Sequence, residues 1–438
     1  MNMNVGLITL GCTKNQVDSE MIIGFFKEKG FEIVSSSNEA DIIIVNTCGF
    51  IESAKKEAID TILEMSEYKE NGKCKHLIVT GCLAKRYKKD ILQNIPEVDL
   101  VIGVDEYNNI DKILSDYFKE DLDGKLEFKD RIISSRFPMA YIRISDGCDN
   151  RCSYCAIPLI RGSFKSRTME DILQEVQLLA SQGITEFVII SQDTSKYGLD
   201  IYGKLKLAEL LNKISNVEGV KWIRILYMYL YELNDELLFE IKNNEKICKY
   251  FDIPIQHIND KVLKDMNRKD TKELIYNKIS KIKGLMPEAI LRTTVIVGFP
   301  GETNEEFEEL LEAVKDLKFD RLGAFTYSKE EDTKAFKMDN QIDENIKVER
   351  LNKLLTIQKE ISLSNNKKRV GNITEVLVED ISEDEKYFTA RSYMDAPDVD
   401  GKILIKIDNN SSNKLIIGEY AKVKIIDYSE YDLFAETI

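Results

Sequence analysis

Three cysteines lie within eight residues of this chain, at Cys148, Cys152 and Cys155, and we call them the core trio. Thiolates at this CxxxCxxC spacing can reach three corners of one cubane iron–sulfur cluster, which takes four protein sulfurs when it is fully ligated. The sequence offers no fourth cysteine nearby, so one iron would stay open, as is typical of reactive metal sites. A structural zinc site is the alternative, but it needs a fourth ligand close by.

Three further cysteines, Cys12, Cys48 and Cys82, each follow a predicted strand, and we call them the auxiliary trio. The strands are predicted from short apolar runs at residues 5–10, 41–45, 77–80 and 100–103. Their alternation with helical patterns predicts an open parallel sheet covered on both faces. The carboxyl ends of parallel strands share one edge, where ligands bind. We therefore predict a second three-thiolate cluster; cysteines that simply fill buried turns are the alternative.

The whole-chain composition indicates a multidomain protein without a membrane span. The 438 residues carry 61 basic and 76 acidic side chains, a net charge of −15, which does not favour nonspecific nucleic-acid binding. No apolar run approaches the roughly 20 residues of a membrane helix, and the amino terminus lacks the pattern of a signal peptide. We predict a cytoplasmic protein, in which eight cysteines favour metal binding over disulfides. Cys74 and Cys248 precede their strands and are predicted to face away from the ligand-binding edges.

Four regions follow from the patterns: a sheet domain at 1–118, a linker at 119–133, a central domain at 134–365 and a carboxyl-terminal domain at 366–438. Strand and helix patterns alternate through the central domain, which predicts a partial parallel (β/α) barrel with its chemistry on the loops after the strands. A long closing helix is predicted at 337–366. The predicted barrel strands are 140–145, 187–191, 222–226, 250–254, 292–297 and 322–325.

Several loops on the predicted rim offer candidate residues for holding a cofactor. Gln192 and Asp193 follow the second strand, although a polar turn that caps a helix explains them equally well. Gly298 follows the fifth strand and would let backbone approach a ligand closely. Thr303 and Glu306, further along the same loop, are explained equally well by a helix-capping box. Tyr154, inside the cysteine loop, is a further candidate.

Basic residues after the core trio are candidates for contacting an acidic substrate group. Arg161, Lys165 and Arg167 form the clearest local basic run, although a solvated strand is an alternative explanation. His257 closes the fourth strand and is a candidate for a proton or hydrogen-bond donor, with simple packing as the alternative.

The carboxyl-terminal region changes to short β-prone runs, which predict a small antiparallel barrel resembling an oligonucleotide-binding fold. Residues 366–438 contain ten Lys or Arg and fifteen Asp or Glu, a net charge of −5. RNA-binding modules are usually basic, so this region suits a basic protein partner better. Its predicted strands are 372–379, 387–391, 402–407, 420–428 and 432–435.

The chain resembles the methylthiotransferase family along essentially its whole length, and its core trio is spaced as in radical S-adenosylmethionine (SAM) enzymes. Thr13 departs from the proline common in the family, and Phe164-Lys165 from a usual Tyr-Arg, but neither change touches a cysteine. The family resemblance is carried by residues 10–20, 45–51, 80–83 and 297–303. Residues 48–54, 161–167, 192–194 and 254–257 resemble the ribosomal branch of the family.

This resemblance implies a methylthiotransferase domain, a radical SAM core and a TRAM domain in that order. It implies two 4Fe–4S clusters, held by the auxiliary and core trios, and two SAM molecules per reaction. One SAM methylates a sulfur species at the auxiliary trio, and the other supplies a 5′-deoxyadenosyl radical that removes a β-hydrogen from an aspartate. The aspartate belongs to small-subunit ribosomal protein S-twelve, and its carbon takes the methylthio group. In such enzymes the protein positions the cofactors that carry the chemistry.

The resemblance also implies an electron donor such as flavodoxin or ferredoxin, and we take a monomer as the default state. A tRNA adenosine methylthiotransferase is the nearest alternative, but that branch typically has Gln-Asn at positions 192–193 and Gln-Ser-Gly at 256–258. A nonenzymatic iron–sulfur electron carrier is an alternative of a different class, although carriers usually have every iron ligated by protein.

Overall fold

The computed structural model describes residues 3–407 and 415–438. Within these ranges the chain forms three packed parts, namely a parallel-sheet domain, an open (β/α) barrel and a closed β-barrel. None of the helices in the described ranges combines the length and the apolar character needed to cross a membrane.

The amino-terminal domain is a five-stranded parallel sheet with helices on both faces; the sequence predicts this architecture and four of the five strands. Its elements are β1 (Asn4–Thr9), α1 (Thr13–Glu28), β2 (Glu32–Ile33), β3 (Ile42–Thr47), α2 (Glu52–Ser66), α3 (Tyr68–Asn71), β4 (His76–Gly81), α4 (Cys82–Asn94), β5 (Leu100–Gly103) and α5 (Ile110–Phe118). The strand order is β2-β1-β3-β4-β5. Every residue of β3 is buried, because helices cover the sheet on both sides. The two-residue β2 was not predicted, since it is too short for a hydrophobic period.

The central domain is an open parallel barrel built from two three-stranded sheets. Its elements are β6 (Met139–Arg143), β7 (Ser145–Asp146), α6 (Ile157–Arg161), β8 (Lys165–Ser166), α7 (Met169–Ser181), β9 (Glu186–Ile190), α8 (Leu199–Tyr202), α9 (Leu207–Ser215), β10 (Trp222–Ile225), α10 (Asp235–Asn243), β11 (Tyr250–Asp252), α11 (Asp260–Asp265), α12 (Lys272–Leu285), β12 (Ile290–Val297), α13 (Asn304–Leu317), β13 (Arg321–Thr326) and α14 (Glu344–Lys367). The sheet orders are β10-β9-β6 and β11-β12-β13. A single parallel bridge between Ile223 and Ile247 links the β10 side to the segment before β11.

The carboxyl-terminal domain is a closed five-stranded barrel. Its strands are β14 (Ile373–Ile381), β15 (Tyr387–Ser392), β16 (Ile403–Lys406), β17 (Tyr420–Tyr428) and β18 (Leu433–Thr437). They close in the order β14-β15-β16-β18-β17. The sequence predicts an all-antiparallel barrel, but β16 and β18 pair in parallel, because β17 lies between them in the sequence and pairs with β18 in a hairpin.

The small barrel and helix α1 cover the inner face of the open barrel. Alternate residues of the central strands point inward and join one hydrophobic cluster with the core of the small barrel and with Val17 of α1. Buried ion pairs accompany this contact, since Glu186 pairs with Arg391 at 2.7 Å and with Arg224 at 3.1 Å. Burial disfavours the Glu186 carboxylate, but the two guanidinium groups hold its pKa below the usual value. The interior of the open central barrel is therefore filled by side chains of the small barrel and of α1.

The segment between the first two domains, predicted as a linker at 119–133, contains one arginine that pairs with a helix of each domain. It contains a short 3-10 turn at Phe128–Asp130 and the buried Arg131. The Arg131 guanidinium pairs with Glu20 of α1 at 2.5 Å and with Glu175 of α7 at 2.8 Å. Another pair of charged residues in this segment is local, since Lys129 pairs with Glu127 at 2.6 Å, so the interdomain ion pairs described here are those of Arg131.

Candidate functional site

The auxiliary trio is assembled where three strand-to-helix turns meet at the carboxyl edge of the first sheet. Cys12 directly precedes α1, Cys48 follows β3, and Cys82 begins α4. Two glycines show how closely the turns pack: a Cβ on Gly11 would lie 2.6 Å from the Cβ of Cys48, and one on Gly49 would lie 3.1 Å from the carbonyl carbon of Cys82. The three cysteines predicted to converge therefore lie in turns that touch one another.

Cys48 and Cys82 of the auxiliary trio are buried beside charged groups, whereas Cys12 is exposed. Burial raises the pKa of Cys82 to about 12, and Arg161 partly opposes this shift. Burial also raises the pKa of Cys48, with a further contribution from the thiol of Cys12. Asn15 of α1 connects the turns that carry Cys48 and Cys82. Its side-chain amide donates to the carbonyl of Thr47 at 3.0 Å, and its oxygen accepts from Cys82 Sγ at 3.5 Å.

The core trio lies on the loop between β7 and α6, at the carboxyl end of the first barrel strand. Strands β7 and β8 pair across the base of this loop, and the Cys148 amide donates to the carbonyl of Gly162 at 3.2 Å. The Tyr229 hydroxyl lies 3.7 Å from Cys152 Sγ. Burial raises the pKa of Cys148 to about 12 and raises that of Cys155 as well, with the neighbouring thiols adding to both shifts.

Both trios have the donor set of an iron–sulfur cluster with an open position. All six thiols are free of disulfides, and within each trio the thiols are close enough to affect one another's pKa values. Among the described residues no His, Cys, Asp or Glu group already converges on one point to hold a single metal ion. The fit to a cluster therefore rests on the donor set, since cysteine thiolates are the usual ligands of such clusters.

Arg161 joins the two sites. One terminal nitrogen of its guanidinium lies 2.8 Å from Asn15 Oδ1, 2.7 Å from Asp18 Oδ2 and 3.7 Å from Cys82 Sγ. The other terminal nitrogen lies 3.2 Å from Asp146 Oδ2. The sequence suggests that Arg161 faces an acidic substrate, but the side chain is buried and engaged by the chain's own groups. A single side chain thus reaches from the auxiliary trio to the base of the core loop.

Two carboxylates balance this arginine. Asp18 of α1 accepts from both Arg161 and Arg143. Asp146 opposes Arg161 from the core side, and although burial disfavours its charged form, Arg161 and Arg143 lower its pKa. The ion network locks α1 of the first domain onto the carboxyl end of β6. The two trios are therefore held on facing rims.

The candidates Gln192 and Asp193 lie on the same rim and contact the cysteine loop. The Gln192 amide donates to Asp146 Oδ1 at 3.0 Å, while its buried oxygen has no partner among the described residues. Asp193 accepts from Asn150 of the cysteine loop at 2.8 Å and from Ser195 at 2.7 Å. Burial raises the pKa of Asp193. Asp193 thus positions the loop, and the free oxygen of Gln192 remains available to a ligand.

His257 and Gly298 are linked through Glu302. The buried Glu302 carboxylate accepts from the backbone amides of Gly298 and Phe299, and Arg350 of α14 lies 3.2 Å from it. His257 Nδ1 accepts from the amide of Asn259, and Nε2 lies 3.5 Å from the other oxygen of Glu302. His257 is fully buried, so the structure places it behind the glycine loop.

The remaining candidates are Tyr154, which lies within the loop of the core trio between Cys152 and Cys155, and the basic residues Lys165 and Arg167. Tyr154 is partly buried against a small cluster that includes Phe299 and Tyr327. Lys165 is exposed on β8. Arg167 pairs with Asp171 at 2.7 Å and Glu175 at 2.5 Å on α7. Among the predicted basic run, only Arg161 therefore reaches the space between the two trios.

The charged residues of α1 and Asp146 contribute to the site, although their types and spacing in the sequence predict no role for them. Lys14, Asn15, Asp18, Ser19 and Glu20 are all buried in this helix. A helix whose charged positions are buried together must face another domain, and the cluster of polar residues directly after Cys12 is the signal that points to it.

Three family comparisons divide the chain in the same order as the fold. Residues 4–103 match the uncharacterized protein family UPF0004, residues 142–314 match the radical SAM superfamily, and residues 370–438 match the TRAM domain.

Solved structures share the fold at low sequence identity. A radical SAM methyltransferase, TsrM from Kitasatospora setae, solved with cobalamin and a 4Fe–4S cluster, aligns with a TM-score of 0.55 at 14% identity, covering 74% of this chain and 75% of that one. The cobalamin-dependent radical SAM enzyme OxsB aligns with a TM-score of 0.54 at 14% identity, covering 88% of this chain and 62% of that one.

Curated relatives match over nearly the full length. The ribosomal protein uS12 methylthiotransferase RimO of Clostridium novyi is 49% identical, covering 98% of this chain and 97% of the relative. The RimO proteins of Acetivibrio thermocellus and Clostridioides difficile are each 47% identical, covering 100% of this chain and 99% of the relative. With its radical SAM core and TRAM barrel, the chain belongs to the RimO family of radical SAM methylthiotransferases, iron–sulfur enzymes that use SAM.

Proposed function

We propose that this protein adds a methylthio group to the β-carbon of an aspartate in ribosomal protein uS12, the small-subunit protein S-twelve. The curated relatives are named ribosomal protein uS12 methylthiotransferases, and the β-carbon of an aspartate is what the family resemblance implies. The observation that best supports it is the pair of facing trios joined by Arg161, because a two-site reaction needs both sites next to one substrate carbon.

We further propose that Cys12, Cys48 and Cys82 hold one 4Fe–4S cluster and that Cys148, Cys152 and Cys155 hold another. When loaded, the core site would supply the radical chemistry of SAM and the auxiliary site the sulfur to be transferred. The chain's own contribution is to fix both trios on facing rims and to keep water out. Burial of Asn15, Asp18 and Arg161 serves that purpose, since a dry site strengthens each electrostatic contact within it.

The rim residues are proposed to hold the cofactor. Gln192 offers a buried oxygen with no protein partner, which suits a hydrogen-bond donor of SAM. Asp193 supports Asn150 of the cysteine loop. Gly298 presents backbone at the rim and is fixed by Glu302, while His257 positions that glutamate from behind. Tyr154 contributes packing beside the loop.

The acidic small barrel is proposed to dock the basic ribosomal protein. The hairpin between β14 and β15 exposes Asp380, Glu383, Asp384 and Glu385 next to one another. Complementary charge speeds encounter and sets orientation, and salt weakens it. Replacing Glu383 and Glu385 by lysine should slow uS12 modification most at low salt. Modification that is unaffected by this charge reversal at every salt concentration would reject the docking role.

An anaerobic assay tests the function directly. The reconstituted enzyme receives SAM and a reductant, with uS12 and bulk tRNA offered in parallel and both read by mass spectrometry. The expected result is one methylthio adduct on a single aspartate of uS12. An adduct on a tRNA adenosine would instead identify the protein as a tRNA methylthiotransferase that uses the same chemistry. SAM cleavage without either adduct would support the radical SAM activity but would reject uS12 as the substrate.

The proposal carries three accompanying expectations. A ribosomal protein substrate places the enzyme in the cytoplasm, a low-potential carrier such as flavodoxin or ferredoxin supplies electrons, and the monomer is the working unit. Size-exclusion chromatography with light scattering checks the last of these. Replacing the chemical reductant in the assay by reduced flavodoxin or ferredoxin checks the second.

A further inference from the structure

One buried lysine has no anionic partner within the described part of the chain. Lys14, the second residue of α1, is only 6% exposed. Its ammonium lies 3.0 Å from the centroid of the Tyr227 ring, and across residues 3–407 and 415–438 it forms no hydrogen bond or ion pair. Buried charges in proteins are normally paired. Lys14 therefore keeps three N–H donors for a group that the chain does not supply.

Fold stability offers no reason for a lysine at this position. The first turn of α1 contains no acidic residue, and a positive charge at a helix amino terminus is unfavourable because the helix dipole is positive there. The Tyr227 ring attracts the ammonium but provides no hydrogen-bond acceptor in the usual sense. It can also cover only one side of the cation. The position is costly for the helix unless a ligand completes it.

Lys14 reaches from one cysteine site toward the other. It follows Cys12 by two positions, and its neighbour Asn15 contacts Cys82 Sγ at 3.5 Å. Tyr227 stands just after β10 on the barrel rim, where its carbonyl accepts from the amide of Thr194 at 3.0 Å. Thr194 directly follows the candidate cofactor residues Gln192 and Asp193. The ammonium thus lies in the region between the auxiliary trio and the core rim.

We propose that Lys14 binds the side-chain carboxylate of the substrate aspartate and so selects the residue to be modified. The inference rests on the proposed function, because that function brings an aspartate between the two trios. A compact ammonium with three donors makes strong charge-assisted hydrogen bonds to a carboxylate. The Tyr227 ring holds the cation in place beforehand, which lowers the cost of ordering it on binding.

A binding experiment with matched substrates tests the assignment. The wild-type enzyme first modifies uS12, and mass spectrometry locates the target aspartate. The Kd of reconstituted enzyme, without reductant, is then measured for fluorescent uS12 carrying Asp or Asn at that position. Wild type should prefer Asp by about tenfold, the value of one charge-assisted hydrogen bond. Lys14→Met should bind both forms equally, and its Kd for the Asn form should equal that of wild type.

Two variants serve as controls. Lys27→Met removes an exposed lysine from the last turn of the same helix, and it should keep the full preference for Asp. Lys14→Arg keeps the charge and should retain part of the preference even if Lys14→Met loads iron poorly. Iron content and the electron paramagnetic resonance spectrum of Lys14→Met should match those of wild type.

The outcomes separate this inference from the proposed function. Full preference for Asp in Lys14→Met would overturn the inference alone. SAM also carries a carboxylate, so the Kd for SAM is measured without uS12; weaker SAM binding in Lys14→Met with an unchanged Asp preference would assign the lysine to SAM and overturn the inference. Failure of the wild type to modify uS12 would reject the proposed function and this inference with it.

Discussion

The core trio comes from one eight-residue loop, whereas the auxiliary trio is collected from turns after three different strands, at positions 12, 48 and 82. The loop of the core trio is closed locally by the short β7–β8 ladder. The auxiliary trio exists only when the first domain is folded, because its turns meet through packing between distant segments. Similar donor sets are thus built by local chain geometry in one case and by tertiary structure in the other.

Replacing all three cysteines of one trio should have the largest effect and should separate the roles of the two sites. Substituting all three core cysteines by alanine should abolish 5′-deoxyadenosine formation and remove roughly half of the bound iron. Substituting the auxiliary trio should also remove roughly half of the iron, since each site would hold one cluster of equal size. It should leave 5′-deoxyadenosine formation in place while abolishing transfer of the methylthio group. Iron analysis and mass spectrometry give the readouts.

Cys74 and Cys248 provide the matched control for those variants. Both are buried free thiols outside the two trios, so Cys74→Ala and Cys248→Ala should keep full iron and both activities. Iron loss in these controls as large as in the trio variants would show that the cysteines act through folding.

Arg161 is the next strongest test, because it joins the two sites. Arg161→Met would leave the buried carboxylate of Asp18 with only Arg143 and would unpair one side of Asp146. Removing one partner of a buried ion pair typically costs about 3–5 kcal/mol. We expect a large fall in the melting temperature and loss of coupling between SAM cleavage and transfer. Lys165→Met, an exposed site four residues away, should change neither quantity.

The sequence alone predicts much of this arrangement and misses its connections. The strands before Cys12, Cys48 and Cys82 can be predicted because an apolar run ends just before each cysteine. In a parallel sheet the carboxyl ends of such strands lie at one edge. The sequence predicts that Arg161 faces an acidic substrate group, whereas its side chain pairs with Asp18 and Asp146; a basic residue near a site looks the same in sequence in both cases. The burial of Lys14 cannot be predicted from the sequence either, because it depends on how α1 docks onto the barrel rim.

A smaller effect is expected from Gly49, which tests the tertiary origin of the auxiliary trio. A Cβ at this position would lie 2.8 Å from the backbone of Leu83 in the neighbouring turn, and backbone cannot move aside cheaply. Overpacking of this kind costs about 1–3 kcal/mol. Gly49→Ala should therefore lower iron occupancy at the auxiliary site while SAM cleavage at the core trio persists.

Gly284 in α12 is the matched control for that substitution, because a Cβ there meets no atom within 4 Å. Gly284→Ala should be neutral or slightly stabilising, since alanine is the better helix former. Equal iron loss in both variants, or loss of SAM cleavage in Gly49→Ala, would contradict the separation of the two sites.

The smallest expected effect is a pH dependence on the core side. Glu232 lines the same cavity as Cys152 and Tyr229, and burial, aided by the Asp193 carboxylate, raises its pKa to about 7 from an ordinary 4.5. Between those values the folded chain holds a proton that the unfolded chain has released, so the free energy of unfolding falls as pH rises and levels off above about 7. Partial exposure keeps the effect small.

Melting temperatures of the reduced, cluster-free protein from pH 5 to 8 should show a shallower decline in Glu232→Gln than in wild type, whereas the exposed neighbour Glu236→Gln should follow wild type. Identical slopes in all three proteins would mean that the Glu232 carboxyl is solvated like any surface acid, and that the core rim is less dry than the burial of its thiols indicates.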